Sequence, residues 1–183
     1  MLLLGMMACL SCDGDNGRVA AEALLSLDDL PTGWVEESAG DVGDVFDYLC
    51  VPTTVDTVVA ARGRSSFRTD GGADGYIVHH VVVFDGGADR VMEVAGLAFI
   101  GCASVSLFGV RPEAVELPGL GDESAGFVAS ADDGAAGGIS VHAVYIRRGD
   151  ALALVMANGV DEGTVVALSR LADERLETLP NSP

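Results

Sequence analysis

Four cysteines and three histidines are the residues of this 183-residue chain best equipped for covalent or metal chemistry. His79 and His80 are adjacent in a stretch, Tyr76 to Phe84, that predicts a strand. Successive strand side chains point to opposite faces, so the two cannot chelate one ion together. His79 shares a face with Ile77, Val81 and Val83, and His80 shares one with Tyr76, Val78 and Val82. His142 falls in another predicted strand, on the face of Ser140 and Val144. A site built from one of the pair, His142 and a carboxylate remains open, but the spacing carries no ligand signature. No metal and no cofactor are expected.

The search for a nucleophile also ends without a motif. Gly121-Asp122-Glu123-Ser124-Ala125-Gly126 has Asp122 where a nucleophile elbow needs glycine, and its strand-to-helix context is missing. Ser65 is followed three residues on by Arg68 rather than by the lysine of penicillin-binding proteins. Neither Gly71-Gly72 nor the run from Gly134 to Gly138 carries the Lys-Ser/Thr of a phosphate loop. Asp28-Asp29 and Asp132-Asp133 are paired carboxylates in turns of a very acidic chain, where a solvated surface is the expected setting. The chain is therefore expected not to be an enzyme. A hydrolase with a dispersed site would regain standing only with His142 close to a serine or carboxylate inside a cleft.

The cysteines divide into two pairs. Residues 1–12 are apolar and uncharged, then give way to Asp13-Gly14-Asp15-Asn16-Gly17. Twelve residues are too few to span a bilayer as a helix. They match the length of a signal-peptide apolar region without its preceding positive charges, as a start codon placed too late would leave it. A cysteine after small residues at the end of such a run resembles a lipobox, in which the thiol is acylated. Cys9 has Ala8 before it and Met6 in the usual leucine position; Cys12 has Ser11 and Leu10 before it and lies closer to the polar stretch. One of the two is the expected lipidation site. The competing reading is a buried first strand or helix, since short apolar runs are alike in pattern. Asp13 to Gly17 is not a calcium loop, because Gly17, Arg18 and Leu24 occupy the positions that demand Asp or Asn, Gly and Glu.

Cys50 and Cys102 remain. An isolated pair in an exported domain is expected to form a disulfide. It would close a loop of about 52 residues, worth on the order of 4 kcal/mol by loop entropy. Two buried free thiols are the alternative if the chain is not exported.

Twenty-eight acidic and ten basic residues leave a formal charge of −18, and every basic residue is arginine. Part of this is compositional, since heavy use of Ala, Gly, Val, Asp and Arg is what a GC-rich genome encodes. A field this negative still repels phosphate backbones and anionic headgroups, so nucleic-acid binding is excluded as an expectation. Hydrophobic residues at 49% exclude global disorder, and aromatics at 5% leave the core to Val, Leu, Ala and Ile.

These residues need elements to position them. Residues 1–12 form the anchor segment, 13–18 a flexible tether, and 19–183 one extracytoplasmic domain. Arg18 to Leu27 predicts a short helix, and a turn at Asp28 to Gly33 delivers the sole tryptophan, Trp34, to the end of the core. Strands are expected at Ala60 to Thr69 and Tyr76 to Phe84, then a helix at Ala88 to Cys102 with Val91, Val94, Ala95, Ala98 and Cys102 along one stripe. Strands follow at Glu113 to Leu117, Ser124 to Ala131, Ile139 to Arg148 and Ala151 to Asn158. Asp161 caps a last helix from Glu162 to Leu179, with Val165, Leu168, Leu171, Ala172, Leu176 and Leu179 toward the sheet and Asp173, Glu174, Arg175 and Glu177 toward water. The order indicates an α+β domain: a largely antiparallel sheet of about five to seven strands, packed by two or three helices.

The stretch Ala23-Leu24-Leu25-Ser26-Leu27-Asp28-Asp29-Leu30-Pro31-Thr32-Gly33-Trp34 resembles the opening of many exported actinobacterial lipoproteins. Pro118-Gly119-Leu120-Gly121-Asp122-Glu123-Ser124, followed by a strand, a hairpin at Arg148-Gly149-Asp150 and a closing helix, resembles the same group. A helix ending in cysteine before that second half is similar to the extracytoplasmic sensor domains of PknH-type Ser/Thr kinases and their stand-alone lipoprotein relatives. The resemblance spans residues 20–180 and implies a cleft between helix and sheet, with a sensor-like or ligand-binding role in the envelope. Two departures are plain: one disulfide is on offer where such domains often carry two, and there is no kinase. The expectation is a non-enzymatic, membrane-anchored envelope lipoprotein. Its partner would be a small or lipidic ligand or, alternatively, another envelope protein docked on an exposed surface.

Overall fold

Apolar runs without alternation, such as Tyr76 to Phe84 and Ala151 to Asn158, are what a strand buried on both faces requires, and they sit at the centre of the sheet. The computed structural model describes residues 14–37, 57–70, 75–101, 112–131 and 139–179. Cys9, Cys12, Cys50 and Cys102 all lie outside the described residues, as do the stretch beyond Glu37 and the link 132–138.

Helix α1 spans Gly14–Glu22 and is followed by a 3-10 turn at Leu27–Asp29 and a short strand β1 at Trp34–Glu36. Then come β2 (Val59–Thr69), β3 (Tyr76–Phe84), α2 (Ala88–Gly101), β4 (Glu113–Val115), β5 (Glu123–Ala131), β6 (Ile139–Arg148), β7 (Ala151–Asn158) and α3 (Glu162–Glu177). The strands form one sheet in the order β1-β2-β3-β7-β6-β5-β4, antiparallel at every pairing. Two meanders, β1 to β3 and β4 to β7, join where β3 pairs with β7. This is the expected α+β architecture, with seven strands and three helices among the described residues.

Each face of the sheet has its own core. On the first, α1 and α3 cover Phe67, Ile77, Val81, Val144, Ile146, Ala153 and Val155. On the second, α2 packs chiefly on β6 and β7 through Val91, Met92 and Ala95 against Phe84, Tyr145, Leu152 and Leu154. Asp161 caps α3 as expected, its carboxylate accepting from the Thr164 N–H at 3.0 Å.

Three local expectations are corrected. Helix α1 begins at Gly14, so residues 14–18 are helical rather than a tether, and it ends at Glu22 rather than Leu27. The Gly/Asp composition there resembles a linker, but α1 packs on β2, and tertiary contact overrides propensity. Asp173 does not face water: it is 8% exposed and accepts two hydrogen bonds from Arg148, at 2.8 and 3.0 Å. It falls on the same side of the helix as Ser169 and Leu176, which are buried. Asp29 is likewise not a solvated carboxylate but the partner of Arg175, which spans 146 residues of sequence to reach it.

Candidate functional site

The α2 face of the sheet carries polar side chains beside its apolar core. On β2, alternation places Arg62, Arg64, Ser66 and Arg68 on that face, so three of the chain's ten arginines stand along one strand. Opposite them on β3, register sets Val82, His80, Val78 and Tyr76. The next two strands continue the row, with His80 paired to Leu154 and Leu154 paired to Tyr145. Helix α2 lies mainly over β6 and β7, which leaves the Arg64–His80 region flanking it on the β2 side.

Arg64 is half-buried and donates from Nη2 to the Tyr76 hydroxyl at 3.1 Å. His80, 4% exposed, is neutral at pH 7: burial depresses its pKa to about 4, and the Arg64 charge pushes the same way. Tyr145 is fully buried, and burial raises its phenol well above the usual range. Phe127 meets Tyr145 edge to face, with ring centroids 6.2 Å apart. Ser66 holds the chain after β1 in place, its N–H-bonding neighbour being Glu37, whose N–H donates to the Ser66 carbonyl at 2.8 Å. The exposed Arg68 stands 4.0 Å from the Glu37 carboxylate. The arrangement sets a cation, the Tyr76 hydroxyl and the neutral His80 beside the buried Val78 and Leu154, with Met156, Tyr145 and Phe127 farther along the same face. An opening onto this face would suit a ligand with an apolar body and a polar or anionic head.

The histidines separate as expected. His79 is on the opposite face, fully buried, where its Nδ1 accepts the Leu25 N–H at 3.0 Å. His142 shares that face but lies on β6, with β7 between it and β3, about 10 Å away across the sheet. No group of three or more metal-binding side chains occurs among the described residues. The Ser140 hydroxyl is 3.3 Å from His142 Nε2 and 3.2 Å from the Ser130 hydroxyl. The nearby Asp161 carboxylate is engaged by the Thr164 N–H and hydroxyl as a helix cap, not by the imidazole. His142 therefore has a serine beside it, while the nearby Asp161 carboxylate is taken up by the helix cap.

The arginine row was not picked out from the sequence, although its signal is present. Positions 62, 64 and 68 are separated by even numbers within a stretch already expected to be a strand, which sets them on one face.

No family model matches the chain, and no curated protein matches it. Among solved structures, the crystal structure of LpqN, described as involved in cell envelope biogenesis of Mycobacterium tuberculosis, is similar over 79% of this chain and 78% of that one. The TM-score is 0.35 and the identity 14%. At that level the likeness has no bearing on what this chain does.

Proposed function

We propose that this chain is a lipid-anchored, non-enzymatic envelope protein that holds a small amphiphilic ligand on the α2 face of its sheet. The observation that supports the ligand reading is the cluster of Arg64, Tyr76 and His80 on the α2 face of the sheet, with Tyr145 two strands beyond His80 on the same face. A guanidinium held by a phenol and flanked by a neutral imidazole recognises a carboxylate or phosphate head, while the adjoining aromatic and aliphatic surface takes the apolar body. A chain of net charge −18 repels anions at long range, so selection for such a head has to come from a local cation of this kind.

The anchoring reading rests on the apolar residues 1–12 with Cys9 and Cys12. Among the described residues no helix is long and apolar enough to cross a membrane. Replacing both Cys9 and Cys12 with Ala is expected to release the protein from membranes; retention refutes anchoring at these residues.

Native mass spectrometry of the full chain, extracted gently from its host membrane, tests the ligand reading. The expected result is a reproducible added mass, lost on denaturation and reduced in Arg64→Met. A bare polypeptide mass in the unaltered protein removes the carrier reading and turns the search to a protein partner.

A further inference from the structure

The opposite face of the sheet holds a second polar cluster, which the proposed ligand site does not use. Ser65 and His79 are direct cross-strand partners on β2 and β3, so their Cβ atoms stand about 5 Å apart on one face. His79 is fully buried, and Ser65 is 8% exposed. The Leu25 N–H donates to His79 Nδ1. A ring nitrogen that accepts a hydrogen bond carries no proton, so the proton of this neutral imidazole sits on Nε2.

Both Nε2 and Ser65 Oγ are enclosed, and neither meets a hydrogen-bonding protein atom. Two such atoms on neighbouring positions would each bear an uncompensated desolvation penalty if they stayed unbonded. Their heights above the sheet differ, since the hydroxyl is one bond from its Cβ while Nε2 is at the far edge of the ring. A single small molecule with both donor and acceptor character bridges that difference.

The surroundings decide its chemical class. His79 is neutral because burial depresses its pKa to about 3; His80 when protonated and the Arg175 charge act in the same sense, and Asp29 opposes them. The nearest full charges, Asp29 and Arg175, are already paired with one another at 2.7 Å. An ion placed beside Ser65 would find no counter-charge. On the same strand face, a Cβ on Gly63 would come within 3.1 Å of the Ala20 carbonyl and 3.2 Å of Leu24 Cδ1, so α1 sits directly on β2.

We propose that one water molecule is bound between Ser65 Oγ and His79 Nε2, accepting from the imidazole N–H and sharing a hydrogen bond with the serine. It completes a polar seam that docks the N-terminal segment onto the sheet. The other members of that seam are the Leu25 N–H on His79, Arg175 Nη1 on the Leu24 carbonyl, and the Arg175–Asp29 pair. One internal water for such a pair of groups is in keeping with the frequency and bonding of buried waters in folded chains.

Nuclear magnetic resonance of the isotope-labelled full chain at pH 7 tests this. The expected result is the Nε2-protonated tautomer of His79, with a slowly exchanging Hε2 that shows a cross-peak to a long-lived water. Ser65→Ala keeps room for the water and retains the cross-peak; Ser65→Val fills the space and abolishes it while the tautomer is unchanged. A proton on Nδ1, an Hε2 without water contact, or a cross-peak that persists in Ser65→Val overturns the proposal. Should Ser65→Val fail to fold, a crystal structure of the unaltered chain decides it. Density within hydrogen-bonding distance of both atoms supports the water, and its absence from a well-ordered site refutes it.

Discussion

Acidification from pH 7 to pH 5 is expected to destabilise this protein, and buried histidines rather than carboxylates are the cause. In the folded chain burial holds His79 at a pKa of about 3 and His80 at about 4, against 6.5 for an exposed imidazole. Between these limits the unfolded chain therefore binds more protons than the folded chain, the difference approaching two near pH 5. Stability must rise with pH there, and fall as pH drops through 6.5. Near pH 5 the slope from the two groups approaches about 2.7 kcal/mol per pH unit, and the integrated loss from pH 7 is about 3 to 4 kcal/mol. That is a large part of the 5–15 kcal/mol typical of a domain. His142 is depressed as well, first by burial, with Glu162 and Asp161 opposing, and adds in the same direction. Asp29 and Asp173 act in a separate window. Burial works to raise both, but hydrogen bonds and the arginine charges outweigh it and hold them below the usual carboxylate range. Their contribution is present above the unfolded value of 3.8 and disappears only as pH falls below it. Urea unfolding at pH 7, 6 and 5 measures the effect, and His80→Gln should roughly halve the slope relative to its own value at pH 7. A stability that is flat to within about 1 kcal/mol from pH 7 to 5, with loss beginning only below 4, would falsify this reasoning.

Three further outcomes follow from the geometry. Arg175→Ala leaves the Asp29 carboxylate, whose side chain is 15% exposed, without its partner. It should cost about 3 kcal/mol, with a double-mutant coupling to Asp29→Ala above about 1 kcal/mol in chemical denaturation; additive singles would show the pair is idle. Gly121 has φ +58, and a Cβ there would fall 2.3 Å from the Arg147 carbonyl, whereas Gly119 in the same loop has nothing within 4 Å. Thermal melts should therefore show Gly121→Ala destabilised by about 3 kcal/mol and Gly119→Ala within about 0.5 kcal/mol of the parent; equal effects would refute the packing argument. Non-reducing alkylation should leave Cys50 and Cys102 unlabelled, and full labelling of both thiols would rule out a bridge between them.

Elements whose apolar residues face one direction, or are buried throughout, were legible. The limits of β3, β6 and β7 agree with the sequence reading residue for residue, and α2 and β2 agree to within one. What failed was the assignment of single charged residues. Nothing local in Ala172-Asp173-Glu174-Arg175 distinguishes the buried Asp173 from the exposed Glu174. The distinction is made by Arg148, which arrives from elsewhere in the chain. The same holds for Arg64: its strand was readable, but Tyr76 becomes its partner only once the β2–β3 hairpin is registered. The start of α1 failed for a related reason, because glycine and aspartate argue locally for a linker while contact with β2 argues for a helix.

The two faces of the sheet are held in different ways, and that difference bears on function. Helix α3 is fixed to its neighbours by directional bonds, through Arg148–Asp173 at one point and Arg175 to Leu24 and Asp29 at another. The segment after α1 is tied to the centre of the sheet by His79. Helix α2 meets the sheet through the apolar side chains of Val91, Met92 and Ala95. Apolar contact is non-directional and tolerates a small slide or lift at a cost proportional to the area exposed, whereas a bidentate ion pair is lost within an ångström. In the proposed ligand reading, entry between helix and sheet would exchange such apolar contacts on the α2 side, the side that also carries Arg64, Tyr76, His80 and Tyr145.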